Sequence, residues 1–524
     1  MSLRICRCRE RNYTGCALAR GIAILGAMTQ SDEAAKKERS ATGIGGLDDV
    51  LGGGFAPDRL YLIDGNPGAG KTTLSLQYLL EGARVGEKAL YITLSETKEE
   101  LKAVAASHGW NLDAIEIVEL IPSESDLTAE TQLTMYHPSE VELNETTKVM
   151  LEAVMRVNPR RVVFDSLSEL RLLAQNPLRY RRQILALKHF FNGKCCTMLL
   201  LDVRMGEGND MLLHSIAHGV LTLEQMAPEY GAERRRLRVT KFRGAQYRGG
   251  YHDFCIKRGG LEVFPRLVAN EHQREFADSQ IKSGVTALDH LLGGGPDRGT
   301  STLLLGPAGS GKSTIAIQYA VAAAERGDHA AIFAFDESTY TLQARMEALG
   351  VRFKAGTEGG QVKITQVDPA ELSPGEFAHL IRQSVERDGA RVVVIDSLNG
   401  YLNAMPEERF LTIQLHEILT YLGRQGVTTL MVVAQHGLMG AAVQSPVDAS
   451  YLADSVILLR FFESAGYVKK AISVVKKRRG AHEESIREMR FDSAGIHLSE
   501  PLVQFQGILT GVPVLVPGRA AEGR

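Results

Sequence analysis

Aromatic side chains are scarce in this chain, at 6% of residues with a single tryptophan, and cysteine appears only six times in 524 residues. The cysteines fall at Cys6, Cys8, Cys16, Cys195, Cys196 and Cys255, too few and too clustered for a disulfide framework. That usage suits a reducing cytoplasm. The opening CRCRERNYTGC has no fourth ligand at zinc-finger spacing, which excludes a finger of the usual kind. No apolar run reaches the roughly eighteen residues that a membrane-spanning helix needs. A dominant charge is also missing. Sixty Lys and Arg against sixty-two Asp and Glu leave −2, so nothing global draws the chain to nucleic acid or lipid, and any basic surface must be local. The first 28 residues combine arginines with the short run GIAILGAM, but no small-residue cleavage site follows, so a secretory signal is not indicated. Residues 1–40 read as a disordered extension, with Met28 as an alternative start.

What remains is an ordinary globular balance, 44% apolar and 23% charged, in a chain too long for one domain. A search for internal repeats is then decisive. TGIGGLDDVLGGG (42–54) recurs as SGVTALDHLLGGG (283–295), and GNPGAGKTT (65–73) recurs as GPAGSGKST (306–314). The interval from Gly43 to Gly65 is 22 residues, as is that from Gly284 to Gly306. RRVVFDSLSEL (160–170) is answered by ARVVVIDSLNG (390–400), and VTKFRG (239–244) by VVKKRRG (474–480). One unit is written twice.

Each copy alternates short apolar strands such as LYLIDG, ALYITLSE and RVVFDS with helical stretches such as LSLQYLLEGA. Strands that are apolar throughout are expected of parallel sheets covered on both faces, so each unit reads as a layered α/β domain. The polar stretch RLVANEHQREFADSQ (266–280) reads as a linker between domains at 41–265 and 281–515, with 516–524 as a flexible tail.

Both copies of G-x-x-x-x-G-K-[ST] follow a predicted strand and open a predicted helix. That context makes backbone N–H groups and a helix N-terminus available to phosphate oxygens. The residues expected to cradle a nucleoside triphosphate are Gly65, Gly68, Ala69, Gly70, Lys71, Thr72 and Thr73, and in the second unit Gly306, Gly309, Ser310, Gly311, Lys312, Ser313 and Thr314. Lys71 and Lys312 would neutralise the β- and γ-phosphates. Thr72 and Ser313 would ligate Mg²⁺, with Asp165 and Asp396, each ending an apolar strand, holding the ion through water. Hydrolysis or transfer also requires a carboxylate beside the γ-phosphate. Candidates stand at the end of the second strand: Glu96 after Ser95 in unit one, and Asp336 and Glu337 in unit two, with the choice between those two open. A carboxylate at a strand's C-terminal end faces the ligand crevice of an open sheet.

The repeated GLD…GGG entry, the phosphate loop, the acidic pair and the D-S-L strand end together resemble the RecA-like ATPases, specifically the KaiC family of circadian clock proteins. The likeness covers residues 41 to about 512. It implies two tandem RecA-like domains with mostly parallel central sheets, ATP and Mg²⁺ as bound groups, and a homohexamer of two stacked rings with ATP at each subunit boundary. It implies ATPase activity in the first ring and serine/threonine autophosphorylation in the second, a clock or timer role, and signalling partners of the KaiB kind. Lys241 and Arg243 resemble the family's K-x-R pair that reaches a neighbour's γ-phosphate. In KKRRG the counterparts are Lys476 and Arg478 or, one residue on, Lys477 and Arg479; the match to the following H-x-x-x-I-R-E favours the first pair. The phosphorylated segment corresponds to DASYLADSVILL (448–459), anchored on Asp454, with Ser450 on the family's serine and Tyr451 where the family has threonine. HSIAHGVLTLEQ (214–225) lies in the same place in unit one but lacks a counterpart of Asp454, so no phosphorylation is expected there. Ser95 stands where the family often has a second Glu, and Asp336 replaces Glu. Two other readings remain: a DNA-dependent ATPase of the RecA, RadA or DnaB kind, which the near-zero net charge disfavours, and a nucleotide-switched scaffold without kinase chemistry.

Overall fold

The computed structural model describes residues 39–120, 138–204, 211–228, 230–351, 361–403, 411–435, 450–509 and 513–516. The N-terminal cysteines Cys6, Cys8 and Cys16 and most of the expected extension lie outside them. The chain divides into two compact units, the first ending at Arg266 and the second beginning at Leu267, with the five residues Pro228–Ala232 counted with the second. Of the stretch 266–280, Leu267 and Ala269 are buried in the second unit's core.

Unit one contains the strands β1 (Leu60–Gly65), β2 (Ala89–Thr93), β3 (Ile115–Glu119), β4 (Arg161–Asp165), β5 (Thr197–Val203), β6 (Gly219–Met226), β7 (Arg234–Phe242), β8 (Tyr251–Lys257) and β9 (Gly260–Phe264). They form one sheet in the order β3-β2-β4-β5-β1-β6-β7-β8-β9. From β3 to β6 every pairing is parallel, and from β6 to β9 every pairing is antiparallel. Unit two repeats the arrangement with β10 (Ser301–Pro307), β11 (His329–Ala334), β12 (Val362–Gln366), β13 (Ala390–Asp396), β14 (Thr428–Gln435), β15 (Ser455–Ser464), β16 (Tyr467–Lys477), β17 (Arg487–Asp492) and β18 (Gly495–Pro501). Its order is β12-β11-β13-β14-β10-β15-β16-β17-β18, with a small hairpin of β19 (Phe505–Gln506) and β20 (Val514–Leu515) after it. Two mostly parallel α/β sheets of one topology are the tandem RecA-like architecture that the repeat implies.

The strand period of two explains the layering. In β1, Tyr61 and Ile63 join a core beneath the helix Lys71–Arg84, whereas Leu60 and Leu62 join another beneath the helices Leu167–Ala174 and Pro177–Phe191. In β10 the same division separates Leu304, packed with Ile315 and Tyr319, from Leu303, packed with Ile418 and Tyr421. All six residues of β1 are buried, as its unbroken apolar run requires.

Local signals set where the helices begin. Thr97 accepts from Glu100 N while the Glu100 carboxylate accepts from Thr97 N, a reciprocal cap that starts the helix Lys98–Ser107. Ser338 caps the corresponding helix Thr339–Ala348. These caps matter because the candidate acids Glu96 and Glu337 sit immediately before them.

Candidate functional site

In both units the first strand lies inside the sheet, and the chain reverses the direction of strand addition on either side of it. A crevice therefore opens at the strands' carboxyl ends. The glycine-rich turn sits there. Gly68 and Gly70 hold φ of 77° and 97°, and Gly309 and Gly311 hold 74° and 104°, conformations that suit glycine. A Cβ on Gly70 would stand 2.7 Å from Ile256 Cδ1, and one on Gly311 2.3 Å from Phe491 Cζ. Immediately after each turn a helix starts, at Lys71 and at Lys312.

Lys71 Nζ donates to the carbonyls of Gly65 and Asn66, both at 2.9 Å. Burial lowers its pKa, opposed by the carboxylates of Asp165, Asp202 and Asp64. Lys312 Nζ donates to Pro307 O at 2.6 Å, and burial brings its pKa down to about 8, opposed by Asp396. Thr72 Oγ1 donates to Asp165 Oδ2 at 3.4 Å, and the Ser313 hydroxyl bonds Asp396 in the same way. Burial raises both aspartates, and these hydroxyl bonds oppose it. Asp165 also accepts from Tyr91 OH at 2.6 Å, a partner that sequence reasoning missed because the tyrosine is one residue of an apolar strand. The peptide following each aspartate, Asp165–Ser166 and Asp396–Ser397, is cis.

A nucleoside triphosphate with magnesium suits these residues. The positive-φ glycines clear a cradle, a helix N-terminus faces it, and a lysine stands over it. The hydroxyl–carboxylate pair is the hard-oxygen set that Mg²⁺ takes together with phosphate and water. Among the described residues no cluster of three or more His, Cys, Asp or Glu could hold a metal unaided.

The acidic residues sit alongside. Leu94 N donates to Asp165 O, and Phe335 N to Asp396 O, each at 2.7 Å, tying the acidic turn to the neighbouring strand end. Ser95 is exposed. Glu96 is half-buried with Oε2 enclosed and unpartnered, and its pKa is raised by burial, then by Asp165 and Glu100. In unit two Asp336 accepts from the Ser397 hydroxyl, while Glu337 is paired with Arg345 through two bonds of 3.1 and 2.7 Å.

Strand register bears on the basic residues. Lys241 opposes Val220 on β6, and Lys476 opposes Val456 on β15. Lys241 Nζ donates to the carbonyls of His214 and Ser215, and Lys476 Nζ to those of Ser450 and Ala453. The backbone N–H groups of Arg243 and Arg478 donate to His218 O and Asp454 O, each at 2.9 Å. Lys477 instead bonds Leu292 O and Gly295 O, and Arg479 bonds Asp278. Register and bonding thus pair Lys476 and Arg478 with Lys241 and Arg243.

The same register makes His218 the equivalent in unit one of Asp454 in unit two, so the position expected to lack a counterpart is filled by another hydrogen-bond acceptor, though not by an aspartate. His218 Nδ1 accepts from Leu60 N at 3.2 Å, and Asp454 Oδ2 accepts from Ser301 N at 3.0 Å. Ser450 then corresponds to His214, which has no hydroxyl and instead bonds Asp64 through Nε2 at 2.9 Å. Ser450 is half-buried in a turn and Tyr451 is 55% exposed, its carbonyl accepting from Arg478. The basic run on β7 is engaged within unit one, Arg235 with Glu233 and Arg236 with Glu224 and the Tyr251 ring.

A family model described as "ATPase: KaiC" matches residues 40–268 and, separately, 281–503. The circadian clock protein KaiC3 of Synechocystis sp. is 25% identical over 488 residues, covering 91% of this chain and 95% of the relative. KaiC2 of the same organism is 26% identical over 505 residues, covering 92% and 85%. The circadian clock oscillator protein KaiC of Synechococcus elongatus is 24% identical over 480 residues, covering 91% and 92%. With the model matched twice in sequence order, once on each unit, the chain belongs to the KaiC family of ATPases.

Proposed function

We propose that this protein is an ATP-hydrolysing, self-phosphorylating ring: a homohexamer of two stacked tiers, formed by domains 41–265 and 281–515, that serves as a clock or timer component in the cytoplasm and signals to KaiB-like partners. The observation that carries the reading is the recurrence, in both units, of a phosphate-loop lysine, a hydroxyl bonded to a buried aspartate, and a carboxylate tied to the same strand end. Membership of an ATPase family whose members bind ATP, normally with Mg²⁺, supports it.

Thr72 with Asp165, and Ser313 with Asp396, would hold the magnesium, which would supply charge neutralisation at the phosphates. In unit one Glu96 accepts a proton from the attacking water, a task its raised pKa suits. In unit two the Ser450 hydroxyl is the nucleophile. Its oxygen bonds the γ-phosphorus, the bond to the β–γ bridging oxygen breaks, ADP leaves, and the serine proton passes to one carboxylate of the acidic turn, Asp336 or Glu337. Lys241 and Arg243, and Lys476 and Arg478, are lent across the subunit boundary to the neighbour's γ-phosphate. Tyr451 is the second candidate acceptor.

The test is incubation of the full chain with γ-labelled ATP and Mg²⁺, followed by phosphosite mapping. Label on Ser450 is expected. A chain that hydrolyses ATP while Ser450 and Tyr451 stay unlabelled would retain the ATPase and lose the kinase.

A further inference from the structure

Two carboxylates at one position of the repeat, 241 residues apart, have opposite surroundings. Glu96 Oε2 is enclosed without a partner. Glu337 has both oxygens occupied by one guanidinium, Arg345 Nε on Oε1 at 3.1 Å and Nη2 on Oε2 at 2.7 Å. A third arm of Arg345 reaches Thr314 Oγ1 at 3.2 Å, so the arginine ties the acidic turn to the first turn of the phosphate-loop helix. The residue of unit one equivalent to Arg345 is Val104, which packs against the apolar core and has nothing to offer Glu96.

A bidentate guanidinium occupies the carboxylate lone pairs that an incoming proton would take. Glu337 is therefore withdrawn from proton transfer. Asp336 is placed differently: it accepts one bond from the Ser397 hydroxyl, at the residue after Asp396. Glycine at 400 allows this approach, since a Cβ there would lie 2.6 Å from Phe335 Cβ and 3.0 Å from Asp336 Oδ1.

We propose that Arg345 is a positioning residue that withholds Glu337 from the chemistry and leaves Asp336 as the proton acceptor of unit two, whereas unit one, lacking the arginine, works through Glu96. The inference rests on the reading of unit two as a phosphoryl-transfer site. It assigns to an ion pair the difference between the two halves that their shared motifs do not explain.

The experiment uses the full chain with unit one silenced by Glu96→Gln, and measures total γ-phosphate consumed from Mg·ATP, as free phosphate plus phosphoprotein. Asp336→Asn is expected to lower consumption by about 10²-fold or more. Adding Arg345→Met frees Glu337 and should regain at least about tenfold, a gain that Glu337→Gln then abolishes; a purely structural arginine would produce no gain. Consumption that stays at the Asp336→Asn level in the double variant, with nucleotide affinity intact, overturns the assignment while leaving the phosphoryl-transfer reading in place. No consumption at all in the Glu96→Gln parent overturns both. A second arm does not depend on the folding of Arg345 variants. Val104→Arg, in a chain with unit two silenced by Lys312→Ala, should slow ATP turnover at least about tenfold, and unchanged turnover would count against the clamp.

Discussion

At the scale of single residues, burial and unmatched charge leave measurable signatures. Glu96 is drawn partly out of water beside the Asp165 carboxylate, and its pKa is raised. The folded chain therefore binds that proton more tightly than the unfolded chain. In the window between the ordinary glutamate value and the raised one, the native state holds more protons, so stability falls as pH rises through it. The contribution is present in full below the ordinary value of about 4 and lost above the raised one. Glu96→Gln removes the charge. In nucleotide-free protein it should raise the Tm of unit one at pH 7 to 8 and change little near pH 4, as read by calorimetry, while slowing hydrolysis by about 10² to 10⁴-fold. A neutral-pH Tm below the parent's would mean that the ionised carboxylate is not under strain.

Elements bring a second contrast, at the turn entering β6 and β15. In each unit the N–H that opens the first strand is received by a side chain of that turn, His218 Nδ1 in one case and the Asp454 carboxylate in the other. Only a neutral imidazole accepts at Nδ1, and burial lowers the His218 pKa, helped by Lys188 and Arg59. Below about pH 6.5 the unfolded chain takes up a proton that the folded one refuses, so unit one loses stability as the medium is acidified. His218→Asp should flatten the fall of unit one's unfolding midpoint between about pH 6.5 and 5, measured by urea denaturation. Persistence of the full slope would place its origin elsewhere.

That turn also shows how far one sequence could be read. The apolar strands, the phosphate loops and the aspartates that end β4 and β13 were legible because each rests on a local pattern: an unbroken apolar run, a fixed glycine spacing, a strand end. Even the choice between Lys476 and Lys477 follows motif matching, and strand register agrees with it. His218 was not legible as the partner of Asp454, because the repeat preserves a hydrogen-bond acceptor and not a residue type. Tyr91 and Arg345 escaped for a related reason. Each meets its carboxylate through the packing of one element on another, and their repeat counterparts are Ile332 and Val104, so self-comparison carries no trace of them.

For the whole molecule, the duplicated plan raises the question of where the basic pairs act. Within one chain Lys241 is satisfied by carbonyls of the short helix Met211–Ile216 before β6, and Lys476 by those of the turn before β15. In the proposed ring they exchange those carbonyls for a neighbour's phosphate, so each working site needs an acid from one chain and a lysine from the next. Complementation separates this from action within a chain. With unit two silenced by Lys312→Ala throughout, Glu96→Gln and Lys241→Ala should each lower turnover by about 10²-fold or more. When the two are mixed and reassembled, half of the sites keep the acid and half of their neighbours keep the lysine, so roughly a quarter of parental turnover returns. If each lysine served its own chain, no mixture could rebuild a complete site, and turnover would stay at the level of the separate variants at every mixing ratio.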